Sequence, residues 1–224
     1  MADTALRVAL VGAECTGKTQ LAELLAPRLA HDTGLRAAWV PEHLRHWCDR
    51  VGRTPLAHEQ ASILRAQHER IEAAAATHDI VVCDTTALMT AVYSRFVFGD
   101  RSLEQRAIAL QQRMAMTLLM AIDLPWVADG HQRDGAHVRE PVDGMLRELL
   151  IGHHLPWAVV SGHGPARLEC AVDALAPLLR PRSAPGGGLF TRLVRRQAES
   201  SRQRWTCDCC SVPESERALH PPRV

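Results

Sequence analysis

Lys18 is the only lysine in the chain: 26 Lys+Arg residues minus that one leaves 25 arginines. It stands in GAECTGKT, residues Gly12, Ala13, Glu14, Cys15, Thr16, Gly17, Lys18 and Thr19, a G-x-x-x-x-G-K-T spacing. Gly12 and Gly17 let the backbone fold tightly without a Cβ clash. The loop N–H groups and the start of a following helix then offer partial positive charge to an anion. A lysine here reaches the β- and γ-phosphates of a nucleoside triphosphate, and the Thr19 hydroxyl ligates Mg²⁺. An ammonium on a thin stem can thread such a loop, whereas the planar fork of arginine does not suit it. The stretch therefore points to a phosphate-binding site for ATP and Mg²⁺.

Three other groups carry polar chemistry. Asp84 ends the apolar run DIVVC, where an acid either helps hold Mg²⁺ or, with Thr85 and Thr86, caps a helix. Glu42 lies in VPEHLRHW with Arg45 three residues on. On a helix the two share a face. Glu42 is then a base or anchor for a substrate hydroxyl, or half of a surface ion pair. Asp129–Arg139, DGHQRDGAHVR, holds Arg133 and Arg139 in a polar stretch suited to a lid that closes on phosphates. Its bland alternative is a solvated loop. Trp126 just before it either stacks on a base or belongs to the core.

Those residues need a frame. Continuous apolar runs at Leu6–Val11, Leu35–Val40, Asp79–Cys83, Thr117–Ile122 and Trp157–Val160 read as strands buried on both faces. Helical spacing falls at Gln20–Ala30, Leu56–Ala76, Ala87–Phe96, Leu103–Met114, Val142–Gly152 and Ala166–Leu179. Pro27 is expected to kink or shorten the first helix. The alternation predicts an α/β fold, a P-loop NTPase with about five strands, mainly parallel, flanked by helices. Residues 1–180 form the expected P-loop kinase-like domain, 181–204 a basic linker, and 205–224 a cysteine-containing tail. Cys207, Cys209, Cys210 and His220 in that tail are enough ligands for zinc, but the C-x-C-C spacing argues against one.

Bulk properties restrict the function classes. A hydrophobic fraction of 46% and a charged fraction of 23% suit a globular chain. A net charge of +1 gives no argument for nucleic acid or an anionic membrane. No apolar run approaches the roughly 20 residues that span a bilayer. The N-terminus lacks the charge-then-apolar order of a signal peptide, so a cytoplasmic location is expected. Seven cysteines, four of them scattered, suit reduced thiols.

Taken in order, GAECTGKT, PEHLRHW, VVCDTT and PWVADGHQRD resemble the ribosylnicotinamide kinase domain at the C-terminus of the bacterial bifunctional NAD-biosynthesis regulator. The resemblance covers Leu6 to Leu179. Glu14 matches the family's loop glutamate, and Glu42 to Arg45 match its E-Y-A-R, with His43 in place of tyrosine. Asp84 and Thr85 match its Asp-Thr pair. Trp126 to Gly130 match its W-V-A-D-G, and the arginine is displaced by one to Arg133. The resemblance implies ATP-dependent phosphorylation of the 5′-hydroxyl of nicotinamide riboside, a small nucleoside substrate. It places Lys18, Glu42, Asp84 and Arg133 in catalysis and Glu42, His43, Arg45, Asp84, Trp126 and Asp129 around the acceptor. Arg139 is a further lid residue toward ATP. Only five residues precede the first strand, so the regulator's DNA-binding and adenylyltransferase domains are not expected in this chain. A kinase for another nucleoside or nucleotide, an ATP-dependent switch, and a homo-oligomer all remain open on sequence alone.

Overall fold

The computed structural model describes residues 5–127 and 135–179, all within one unit of the chain, Met1–Gly188. The expected linker at 181–204, the tail with its Cys207, Cys209, Cys210 and His220, and Asp129 and Arg133 lie outside the described residues.

Five strands form a single sheet: β1 (Leu6–Val11), β2 (Ala37–Val40), β3 (Ile80–Asp84), β4 (Met116–Met120) and β5 (Trp157–Val160), in the order β2-β3-β1-β4-β5. Every pairing is parallel, as continuous Val, Ile and Leu runs demand when both sheet faces are covered. Helices α1 (Lys18–Thr33), α2 (His43–Val51), α3 (Gln60–Ala75), α4 (Ala87–Phe98), α5 (Glu104–Gln111), α6 (Arg139–Gly152) and α7 (Pro165–Leu179) connect them. In β1 every residue is buried, and in β3 likewise. Leu64 and Ile71 of α3, Leu88 and Val92 of α4, and Leu146 and Leu150 of α6 pack with Ala9, Val81 and Leu119 in one apolar core.

Helix α1 does not stop at Pro27. It runs to Thr33, where Gly34 at φ 72° turns the chain and donates its N–H to the Ala30 carbonyl at 2.9 Å. Pro27 sits on the solvent side, where the carbonyl it deprives of a partner can bond to water. The second strand starts at Ala37 rather than Leu35, because the turn at Gly34 consumes the residues before it. The long stretch from Leu56 divides into a 3₁₀ turn (Ala57–Glu59) and α3. There the Glu59 carboxylate accepts the Leu56 N–H at 2.8 Å.

Register brings the chemistry together. Leu10 of β1 lies opposite Asp84 of β3, and Val40 of β2 opposite Cys83. The loop after β1, Asp84, and Glu42 just beyond β2 therefore emerge side by side at the carboxyl edge, where open α/β sheets bind ligands.

Candidate active site

The phosphate loop follows from where its backbone must turn. Gly12 has φ 150°, and a Cβ there would lie 3.0 Å from Met120 Cβ and 3.1 Å from the Met120 carbonyl. Only glycine lets β1 and β4 approach so closely at that point. Gly17, at φ 75°, is the N-cap of α1, so the first N–H groups of that helix face the loop interior. Lys18 Nζ donates to the carbonyls of Gly12 and Ala13, each at 2.8 Å. Thr16 Oγ1 also donates to Ala13, at 2.8 Å. The lysine thus holds the loop in shape and sits where an incoming phosphate would take over its hydrogen bonds. Burial lowers its pKa, against the opposing pull of Glu42, Asp84 and Glu14.

Asp84 is 1% exposed, and its Oδ2 accepts the Thr19 hydroxyl at 2.6 Å. Its Oδ1 is buried with no hydrogen-bond partner among the described residues. Burial raises the Asp84 carboxyl, while the Thr19 hydroxyl, Lys18 and Arg45 oppose the rise. A hydroxyl beside a carboxylate with one oxygen unengaged is a hard-oxygen donor set that fits Mg²⁺. Helix capping at this strand end belongs to Thr86 instead: it is the N-cap of α4 and accepts from the Leu88 N–H.

Glu42 is the N-cap of α2. Desolvation raises its carboxyl above the ordinary range, while Lys18 and Arg45 pull it down. Its place is fixed by a residue that the sequence gave no reason to single out. Gln67 of α3 is 2% exposed, and its Oε1 accepts the His43 N–H, the first of α2, at 2.7 Å. Its Nε2 reaches the carbonyls of Asp84 at 3.4 Å and Thr85 at 3.3 Å. One amide thereby ties the segment bearing Glu42 to the segment bearing Asp84. Thr85 itself sits at φ 67°, a left-handed conformation that a β-branched residue holds only when its surroundings fix it.

Arg167 of α7 is the second residue beyond sequence reach. It is 5% exposed, and Nη2 donates to the carbonyls of Thr16 and Ala121, both at 3.0 Å. Nη1 pairs with Asp123 at 2.8 Å. It ties the phosphate loop to the end of β4 from a position 151 residues beyond Thr16, so no local pattern marks it. Arg167→Met is expected to destabilise the fold by about 2–4 kcal/mol, because the buried Thr16 carbonyl, the part-buried Ala121 carbonyl and Asp123 lose the same guanidinium together. The urea midpoint checks this, and a variant that unfolds at the wild-type midpoint removes Arg167 from the loop's support.

A cleft of about 920 Å³ runs from the phosphate loop, past Glu42 and Gln67, to the ends of α3 and α4. Its far wall is largely apolar, with Cys48, Ile63, Met89, Tyr93 and Phe98 among the lining residues. Tyr93 is the chain's one tyrosine, so a ring does reach the cleft, from α4. The His43 and Trp126 side chains are not among the lining residues. His43 contributes through its backbone, and Trp126 keeps its indole nitrogen buried without a hydrogen-bond partner among the described residues. Glu14 and Arg45 do line the cleft. Cys15, at φ 56°, bonds through Sγ to the Val127 carbonyl at 3.2 Å, which joins the loop to the residues that lead into 128–134. Arg139 opens α6, is 8% exposed, and has Nε and Nη2 unpartnered among the described residues.

Cys15, Cys48, Cys83 and Cys170 are free thiols, and burial pushes Cys83 up to about 12. Among the described residues no group of three or more His, Cys, Asp or Glu could hold a metal by itself. No helix there is long and apolar enough to cross a membrane.

A family profile described as AAA domain matches residues 7–167, from β1 to the start of α7. The chain belongs to this family. Among solved structures, NadR protein in complex with NR is 21% identical with a TM-score of 0.64, covering 78% of this chain and 51% of its own. NadR protein in complex with NAD and AMP-PNP is 20% identical, TM-score 0.61, covering 78% and 49%. The chain thus spans about half the length of these two structures. Thymidylate kinase from Ehrlichia chaffeensis is 15% identical, TM-score 0.56, covering 78% of this chain and 99% of its own. These likenesses place the AAA domain in the fold of P-loop kinases. A search of curated proteins finds no match.

Proposed function

We propose that this AAA-domain protein is an ATP-dependent kinase that transfers the γ-phosphoryl group to the 5′-hydroxyl of nicotinamide riboside. The observation that carries the proposal is the placement of Asp84 and Glu42 on one flank of the Lys18 loop, at the ends of β3 and β2, with Glu42 and Lys18 lining a largely apolar cleft. Lys18 and the loop N–H groups bind the triphosphate. Thr19 and Asp84 would hold Mg²⁺, which neutralises phosphate charge when bound. Glu42, raised by burial yet held among Lys18 and Arg45, accepts the proton of the 5′-hydroxyl. That oxygen attacks the γ-phosphorus, and the bond to the β–γ bridging oxygen breaks to release ADP. Phosphoryl transfer draws most of its rate from such positioning and charge neutralisation. Asp129, Arg133 and Arg139 complete the proposal as lid residues toward substrate and phosphate.

A neutral nucleoside suits the acceptor lobe better than a nucleoside monophosphate. Among the described cleft residues beyond the phosphate loop, Arg45 is the one cation, and it lies near Glu42. A phosphorylated acceptor would want more positive charge. The likeness to NadR protein with NR bound supports the particular nucleoside.

The test is ADP release with ATP and Mg²⁺ against nicotinamide riboside, other nucleosides, nucleoside monophosphates and no acceptor. Turnover that requires nicotinamide riboside is expected. A preference for a nucleoside monophosphate, or ATP hydrolysis indifferent to acceptor, defeats the proposal.

A further inference from the structure

Two glutamines share the cleft-facing stripe of α3 in opposite circumstances. Gln67 has both ends of its amide engaged with backbone. Gln60 stands two turns earlier on the same stripe, about 10 Å away at 1.5 Å per residue. It is 5% exposed and lines the cleft. Its amide has no hydrogen-bond partner among the described residues, yet both polar atoms are open rather than sealed. The lining residues nearest it in sequence, Pro55, Leu56 and Ile63, offer no polar side chain. Buried amides are as a rule hydrogen-bonded, so an open one in a cleft wall is aimed at something that enters the cleft.

Position says what. Gln67 marks the transfer end, because it touches Asp84 and Thr85. An acceptor whose hydroxyl lies at Glu42 and whose body runs along α3 brings its far edge to Gln60. A primary amide offers a carbonyl acceptor beside N–H donors, and its complement is a group with the same two functions side by side. On the nucleoside-kinase reading above, we infer that Gln60 determines acceptor specificity by pairing with an adjacent donor and acceptor on the base, as in a carboxamide. An apolar wall tolerates any base of suitable size, whereas a buried amide left unpaired disfavours a base that lacks this pair.

The experiment measures initial rates of the full chain with ATP and Mg²⁺ on two matched acceptors: nicotinamide riboside and pyridine riboside, which lacks the carboxamide. Gln60→Leu is expected to lower kcat/KM for nicotinamide riboside about 10- to 100-fold, the loss of one or two buried hydrogen bonds. Its effect on pyridine riboside stays within about threefold, and KM for ATP is unchanged. Gln60→Glu keeps the side-chain size, so it serves even where the leucine variant folds poorly. It retains an acceptor for the carboxamide N–H and is expected to reject nicotinic acid riboside, whose carboxylate it repels. Equal losses on both matched acceptors, or no loss on either, overturn the inference.

Failure of the underlying reading looks different. If the wild type ignores nicotinamide riboside but turns over adenosine or inosine, the proposed function falls and Gln60 is judged on that nucleoside against purine riboside. Turnover confined to acceptors without such a pair overturns the role of Gln60 as well.

Discussion

Lys18→Ala is expected to lower kcat/KM for ATP by about 10³-fold or more, the scale of removing a preorganised charge from the transferring phosphoryl group. Lys18→Arg is expected to fail nearly as badly. Nζ occupies a point 2.8 Å from two loop carbonyls at once, and a guanidinium is too wide for that point. The fold should survive both changes. Lys18 is a buried ammonium whose pKa burial lowers, so the alanine variant sheds a desolvation cost while it loses two hydrogen bonds. Thermal melting and coupled ADP-release kinetics, taken together, separate the two effects. A Lys18→Ala protein that melts like the wild type and retains more than a tenth of its activity would remove this loop from the chemistry.

The phosphate loop was legible because its demands are local. Glycine at two fixed offsets, a lysine and a threonine are required by a turn and an anion that one short segment supplies. The central strands β1 and β3 were legible for a related reason, since full burial on both faces leaves no polar position to disguise the run, whereas the edge strands β2 and β5 are mostly half-buried. Pro27 misled because a solvent-facing proline inside a long helix costs less than one facing the core, and burial of that face cannot be seen locally. Gln67 and Arg167 were invisible for a stronger reason. Each acts through backbone groups far away in sequence, Gln67 on His43 and Thr85, Arg167 on Thr16 and Ala121. A carbonyl carries no residue identity, so no motif records that it needs a partner. The aromatic content of the cleft was also hidden. Tyr93 comes from the middle of α4, whereas the sequence offered Trp126 as the stacking ring and had His43 in place of the family's tyrosine.

Glu42 carries the other large expected effect. Glu42→Gln preserves size and can still accept a hydrogen bond, but it cannot take a proton. Loss of a positioned general base lowers the transfer rate by about 10²–10⁴-fold, and binding of a non-hydrolysable ATP analogue should be unaffected. The pH profile distinguishes a base from an anchor. Desolvation raises the Glu42 carboxyl above its ordinary value, and the base works only when ionised. Wild-type kcat/KM for the acceptor should therefore fall as pH drops through that raised pKa, with the acid limb displaced upward from the usual carboxylate range. In Glu42→Gln this limb should flatten while the residual rate stays low. Asp84 is raised by burial as well, so the profile is taken at saturating Mg²⁺, where a metal bound at Thr19 and Asp84 would hold Asp84 ionised. An acid limb that persists unchanged in Glu42→Gln would assign the titration elsewhere and leave Glu42 as a hydroxyl anchor. Gln67 offers a structural reason to expect the base role. It fixes the first N–H of α2, and so the backbone of Glu42 beside it, relative to the carbonyls of Asp84 and Thr85. An anchor tolerates some play in that spacing, whereas a proton acceptor must stay within hydrogen-bond reach of a hydroxyl aligned on the γ-phosphorus.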